Sequence, residues 1–173
     1  MSLVSTKWLF NNRENVKIID CSWHLPNEKR NSLEEYNSEH IPNAIYFDID
    51  KNSDQNSDLP HMLPSKKEWE KIVSSLGISN DDKIIIYDNS DLISSCRLWY
   101  SFLYFGHNKE LVYILNGGLE KWNKEKLVTT NIKTDIVKTK YSAIENNEMV
   151  KNLDEINDNI EEKKFKLIDA RSI

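Results

Sequence analysis

Basic residues do not outnumber acidic ones in this chain. Over 173 residues, 23 Lys and Arg face 28 Asp and Glu, a formal net charge of −5. That balance argues against a general nucleic-acid binder, whose domain should be basic. No apolar run approaches the ~20 residues that a membrane-spanning helix needs. Met1 to Phe10 lack the basic segment and long apolar core of a secretory signal. Cysteine is scarce too. Cys21 and Cys96 are too few for a disulfide framework or a four-thiolate zinc site, and neither a metal nor a cofactor is expected. A reducing cytoplasm is the simplest compartment. What remains is a polar globular profile, with 39% hydrophobic and 29% charged residues. The length fits one domain with some surplus.

The spacing predicts strands alternating with helices. Val16 to Cys21 reads as a buried strand, preceded by a short helix over Ser5 to Asn12 capped by Ser5 or Thr6. Asn31 to His40 reads as a short helix that must stop before Pro42, and Ala44 to Ile49 as a second strand. Asp50 to Pro64 is a long polar loop, a length that is often functional. Ser65 and Glu68 make a capping box that opens a helix to Leu76, stopped by Gly77. Lys83 to Tyr87 is hydrophobic on both faces, as a central parallel strand should be. An aromatic helix over Ser95 to Phe105, a strand over Leu111 to Leu115 and a helix after Asn116-Gly117-Gly118 complete the pattern. The fold class is therefore α/β: a parallel sheet covered by helices on both faces. Thr129 to Asn147 has no clear period and reads as a linker. Met149 to Glu162 resumes as a helix and Phe165 to Asp169 as a strand. That strand echoes the first, since Val16 to Asp20 and Lys166 to Asp169 are both hydrophobic and end in Asp, so an internal repeat is expected.

Four features could carry chemistry. Cys21 ends a buried strand and reads as a core residue. Cys96 sits in the first turn of a helix just past the central strand, beside Arg97, where α/β folds place ligands; a small residue packed under the helix is the competing reading. Asp50 and His61 share one proline-bounded loop. They could pair as orienter and base, with the carboxylate fixing the imidazole tautomer, or His61 could be an ordinary surface residue. Arg171, just past the last strand, could clamp a carboxylate or be an exposed terminal arginine. Asn116-Gly117-Gly118 lacks the lysine and glycine spacing of a phosphate loop and reads as a tight turn. Trp8, Trp69, Trp99 and Trp122 fall on predicted helices as core anchors.

Several stretches in order resemble a rhodanese-type sulfurtransferase of the two-domain mercaptopyruvate group. They include Ile19-Asp-Cys-Ser-Trp-His-Leu-Pro26, Glu39-His-Ile-Pro-Asn-Ala44, Phe47-Asp-Ile-Asp50 and Leu59-Pro-His-Met-Leu-Pro64. Ser95-Cys-Arg-Leu-Trp99, Phe105-Gly-His107 and Asn116-Gly-Gly-Leu-Glu-Lys-Trp122 continue the series. The resemblance implies a rhodanese domain over 1–128 that does not carry the nucleophile, a linker over 129–147 and the start of a second, catalytic domain over 148–173. Asp88 stands where the catalytic domain has its cysteine, so the nucleophile would lie beyond Ile173 and this chain alone would be inactive. The resemblance makes His61 and Asp50 the catalytic proton-relay pair and Arg171 the holder of the substrate carboxylate. His61 before Met-Leu-Pro favours 3-mercaptopyruvate over thiosulfate as the small-molecule sulfur donor. A cysteine persulfide would pass the sulfur to cyanide or a thiol acceptor such as thioredoxin. Neither nucleic acid nor membrane is an expected partner. The competing reading is a catalytically silent rhodanese module that binds or regulates a partner.

Overall fold

Hydrophobicity on both sides of one strand organises the molecule. The structure, a computed structural model, describes residues 2–169. It contains five parallel strands: β1 (Leu3–Val4), β2 (Lys17–Asp20), β3 (Ala44–Tyr46), β4 (Ile84–Tyr87) and β5 (Val112–Leu115), in the order β1-β5-β4-β2-β3. Helices α1 (Thr6–Asn12), α2 (Ser32–Ser38), α3 (Lys66–Ser75), α4 (Ser95–Tyr104) and α5 (Gly118–Lys124) connect them. In β4 the pleat sends Ile84 and Ile86 to one face and Ile85 and Tyr87 to the other, and all four are fully buried. The first face packs on α3 and α4 through Trp69, Val73, Leu98 and Phe102. The second packs on α1, α2 and α5 through Leu9, Tyr36, Leu119 and Trp122. This is the expected α/β architecture, with two apolar layers around a central parallel sheet.

Local chemistry sets the element ends. Ser5 caps α1 by accepting from the Trp8 amide, and Ser65 with Glu68 forms the reciprocal capping box of α3. Strand β3 stops at Tyr46, short of the expected Ile49. The Phe47 amide still donates to Asp20 O, but Asp48 then folds the chain by accepting from the Lys51 amide. The pair Leu3–Val4, too short to show periodicity, adds a fifth strand beside β5.

Residues 129–147 form no regular element before a 3₁₀ turn at Asn147–Met149, yet they are bonded to the sheet domain along their length. Thr130 exchanges two backbone hydrogen bonds with His40 (2.8 and 2.9 Å). Thr139 donates its hydroxyl to Ile78 O, Ala143 its amide to Glu70, and Ile144 its amide to Phe105 O. Tyr141 and Ala143 are buried in the α3–α4 core. Tyr141 stacks parallel on His107 at 5.8 Å. The neutral His107 ring is satisfied twice: Nε2–H donates to Asp82 O at 3.0 Å, and Nδ1 accepts from the Tyr141 hydroxyl at 3.2 Å. Burial pushes the Tyr141 hydroxyl up to about 12, which keeps that proton in place. This segment is a strap laid over the domain. Its polar sequence hides the contacts because most are made by its backbone.

The second half of the chain departs from expectation. The helix expected from Met149 begins only at Leu153 and forms α6 (Leu153–Glu162). Two asparagines cap separately: Asn146 caps the 3₁₀ turn that holds Met149, and Asn152 makes a capping box with Glu155. Phe165 to Asp169 forms no strand, and Leu167 and Ile168 are 69% and 80% exposed. A strand needs another strand to pair with, and among the described residues no strand of the sheet pairs with this run. Of the expected repeat, the helix is present as α6 and the strand is not formed over residues 165–169.

Two predictions follow from the strap. Gly106 has φ +79°, and a Cβ on it would sit 2.8 Å from the Ile144 carbonyl oxygen. Gly106→Ala should cost about 1 kcal/mol or more in urea unfolding. Burial holds the His107 imidazole below its ordinary range. The unfolded chain then binds this proton first, so stability falls as pH drops below about 6.5. The stability gap between the native protein and His107→Phe should narrow between pH 7.5 and pH 5.5; a constant gap would contradict this.

Candidate functional site

Parallel strands send their C-terminal ends to one edge, and the loops leaving β2, β3 and β4 converge there. The loop after β3 carries Asp50 and His61. Their side chains meet: His61 Nε2 lies 2.7 Å from Asp50 Oδ1. Trp23, on the loop after β2, donates its indole N–H to the same carboxylate, 3.1 Å from each oxygen. Its ring stands edge-on to His61 with centroids 4.8 Å apart. Arg97 of α4 donates to the His61 carbonyl at 2.5 Å. Burial lowers the Arg97 guanidinium from its ordinary range, and it stays charged. Asp50 and His61 line an open cavity of about 300 Å³ with Asp54, Gln55 and Leu59. The carboxylate accepts only, so the neutral imidazole carries its proton on Nε2 and leaves Nδ1 as a lone pair. Such a pair can accept and return a proton at Nδ1.

Neither cysteine joins this pair. Cys96 lines a different cavity, of about 450 Å³, with Arg30, Asp88, Asn116 and Glu120. Partial burial and then the Asp88 charge push its thiol up. Cys21 is fully buried; burial, then Asp88 and Asp20, push its thiol well above the ordinary range. Both shifts run opposite to the lowered thiol that a cysteine nucleophile needs. Arg171 lies outside the described residues. Asn116-Gly117-Gly118 is a turn into α5. Gly118 lets the Leu119 amide reach the Asp88 carbonyl at 3.0 Å, where a Cβ would stand 2.5 Å from that oxygen. Among the described residues, no group of three His, Cys, Asp or Glu side chains could hold a metal ion.

A second polar network braces the loop over residues 88–94. Arg30 grips Glu35 with two bonds of 2.7 and 2.6 Å and donates to Asn89 O at 3.0 Å. Asn89 donates its amide to Ser22 Oγ, which donates in turn to Asp20 at 2.6 Å. The Arg30 hydrogen bond holds Glu35 below the usual carboxylate range. Burial raises Asp20 against two opposing bonds from Ser22. Asp88 is itself buried and accepts from the Ser95 amide at 2.6 Å, so it caps α4.

Sequence reasoning brought Asp50 and His61 to one site but gave no role to Trp23, Arg97, Arg30 or Glu35. One signal was present for Trp23. Four of the five tryptophans fall on predicted helices, and Trp23 alone falls just past a strand end. The Arg97 contact is to a backbone carbonyl 36 residues away and has no sequence signature.

Comparison with known proteins bears on the fold and the family. Residues 5–125 match the model of the Rhodanese-like domain. The chain is 35% identical to thiosulfate/3-mercaptopyruvate sulfurtransferase 2 of Arabidopsis thaliana, over 98% of its own length and 56% of the relative's. It is 34% identical to mouse 3-mercaptopyruvate sulfurtransferase and 36% to bovine thiosulfate sulfurtransferase, spanning 60% and 59% of those proteins. SseA from Escherichia coli, described as having the "Rhodanese" fold of 3-mercaptopyruvate sulfotransferases, superposes with a TM-score of 0.87. The identity is 32%, over 99% of this chain and 66% of SseA. The chain thus spans somewhat over half the length of the curated relatives it matches. A matching domain model over most of the chain and a shared fold with SseA lead to one conclusion: the chain belongs to the rhodanese family.

Proposed function

We propose that this chain supplies the acid–base half of a sulfurtransferase site and that a second rhodanese domain supplies the nucleophile. The observation that carries the reading is the 2.7 Å Asp50–His61 pair, held at the loop edge away from both cysteines. The donor is 3-mercaptopyruvate, with thiosulfate less favoured. The relatives' names include both donors, so the preference rests on His61 before Met62-Leu63-Pro64. A thiolate of the second domain attacks the donor sulfur, a persulfide forms and the carbon–sulfur bond breaks. The pyruvate carbanion that leaves takes a proton through His61, which Asp50 holds. Arg171 orients the substrate carboxylate. A thiol such as thioredoxin, or cyanide, then accepts the sulfur, and the cytoplasm is the proposed compartment.

One observation favours a second reading, a catalytically silent binding module. Asp88, at the position the resemblance gives to the nucleophile, is a buried helix cap. The two readings part in one assay. Residues 1–173 are fused in place of the corresponding N-terminal part of mouse 3-mercaptopyruvate sulfurtransferase, and thiocyanate formation from 3-mercaptopyruvate and cyanide is followed. The chain alone should give no turnover and the fusion should turn over. Asp50→Asn and His61→Asn in the fusion should each lower kcat by about 10²-fold or more. Full activity in both variants would contradict the proposed roles. Turnover by the chain alone that is lost in Cys96→Ser would move the nucleophile to Cys96.

A further inference from the structure

An aspartate–histidine pair on an open loop is not held by its own attraction. The Asp50 side chain is 65% exposed and that of His61 29%. With His61 neutral this is one hydrogen bond between solvent-facing side chains, too little by itself to fix both in one orientation. Two groups from other elements supply the missing constraint. The Trp23 indole N–H lies equally far from both carboxylate oxygens, 3.1 Å and 3.1 Å. That fork sets the plane of the carboxylate and directs Oδ1 at His61. The edge-on contact of the same ring with the imidazole limits its tilt. Arg97 acts on the other side, through the backbone. His61 sits at φ +56°, in the left-handed region that side-chain-bearing residues adopt uncommonly. The Arg97 guanidinium holds the His61 carbonyl in that conformation. The same guanidinium stands over the Tyr100 ring, 6.0 Å from its centroid, while it donates to this carbonyl.

We propose that Trp23 and Arg97 are positioning residues for the Asp50–His61 pair. Trp23 fixes the carboxylate, and through it the Nε2–H tautomer of His61. Arg97 fixes the left-handed backbone that turns the His61 ring toward Asp50. Neither residue needs to touch substrate. The kinetic consequence rests on the sulfurtransferase reading; the tautomer and backbone consequences rest on this chain alone.

The test is nitrogen-15 NMR on residues 1–173 at pH 8, where two-bond correlations report which ring nitrogen carries the proton. The native chain should show His61 as one tautomer, with the proton on Nε2. Trp23→Phe keeps an aromatic ring and removes the N–H, and should give a mixture of both tautomers. Arg97→Met should abolish the positive-φ coupling signature of His61, and Arg97→Lys should restore part of it. In the fusion protein, Trp23→Phe should lower kcat/KM about tenfold with little change in KM. Mixed tautomers in the native chain would overturn the proposal with no variant needed. An unchanged tautomer in Trp23→Phe together with an unchanged signature in Arg97→Met would do the same. An inactive fusion with the NMR results as expected would instead count against the sulfurtransferase reading.

Discussion

Burial of β4 between two helical layers is the constraint on which the site depends. Its four residues are fully buried, and removing each such side chain from water contributes about 1.5–3 kcal/mol. The pleat divides that burial between the two faces, so neither helical layer can be lost without uncovering the strand. Once β4 is fixed, β2 and β5 pair with it in parallel, and β3 follows on β2. Parallel pairing then forces the loops after β2, β3 and β4 to one edge. Trp23, Asp50 and His61 meet there from separated parts of the sequence, and Asp88 lines a separate cavity.

At that edge, carboxylates do two different jobs. Asp20 and Asp88 are buried and serve the scaffold, one through Ser22 and the other as the cap of α4. Asp50 is largely exposed and faces an imidazole. Burial first, and then the Asp88 charge, pushes both cysteine thiols up, with Asp20 adding to the effect at Cys21. Cys96, attractive by position in the sequence, is exposed beside Asp88, and its thiol is pushed up rather than down.

Much of the fold was legible because its signals are local. The capping box at Ser65 and Glu68, the apolar run of β4 and the stop at Gly77 each lie within a few residues. The Asp50–His61 pair was legible because one loop holds both. What sequence could not show depends on contacts across long separations. The strap over 129–147 looks like a linker because its bonds are made by backbone and by neighbours such as His107 and Ser74. The strand expected at 165–169 has the right residues, but residue type does not create a partner. Arg97 reaches His61 through a carbonyl, which every residue has.

The proposed function divides the labour: this domain would handle the proton and another would carry the sulfur. It is tested most directly by mass spectrometry of residues 1–173 after incubation with 3-mercaptopyruvate. The account predicts that neither Cys21 nor Cys96 gains a sulfur atom. A stoichiometric persulfide on Cys96 would contradict it.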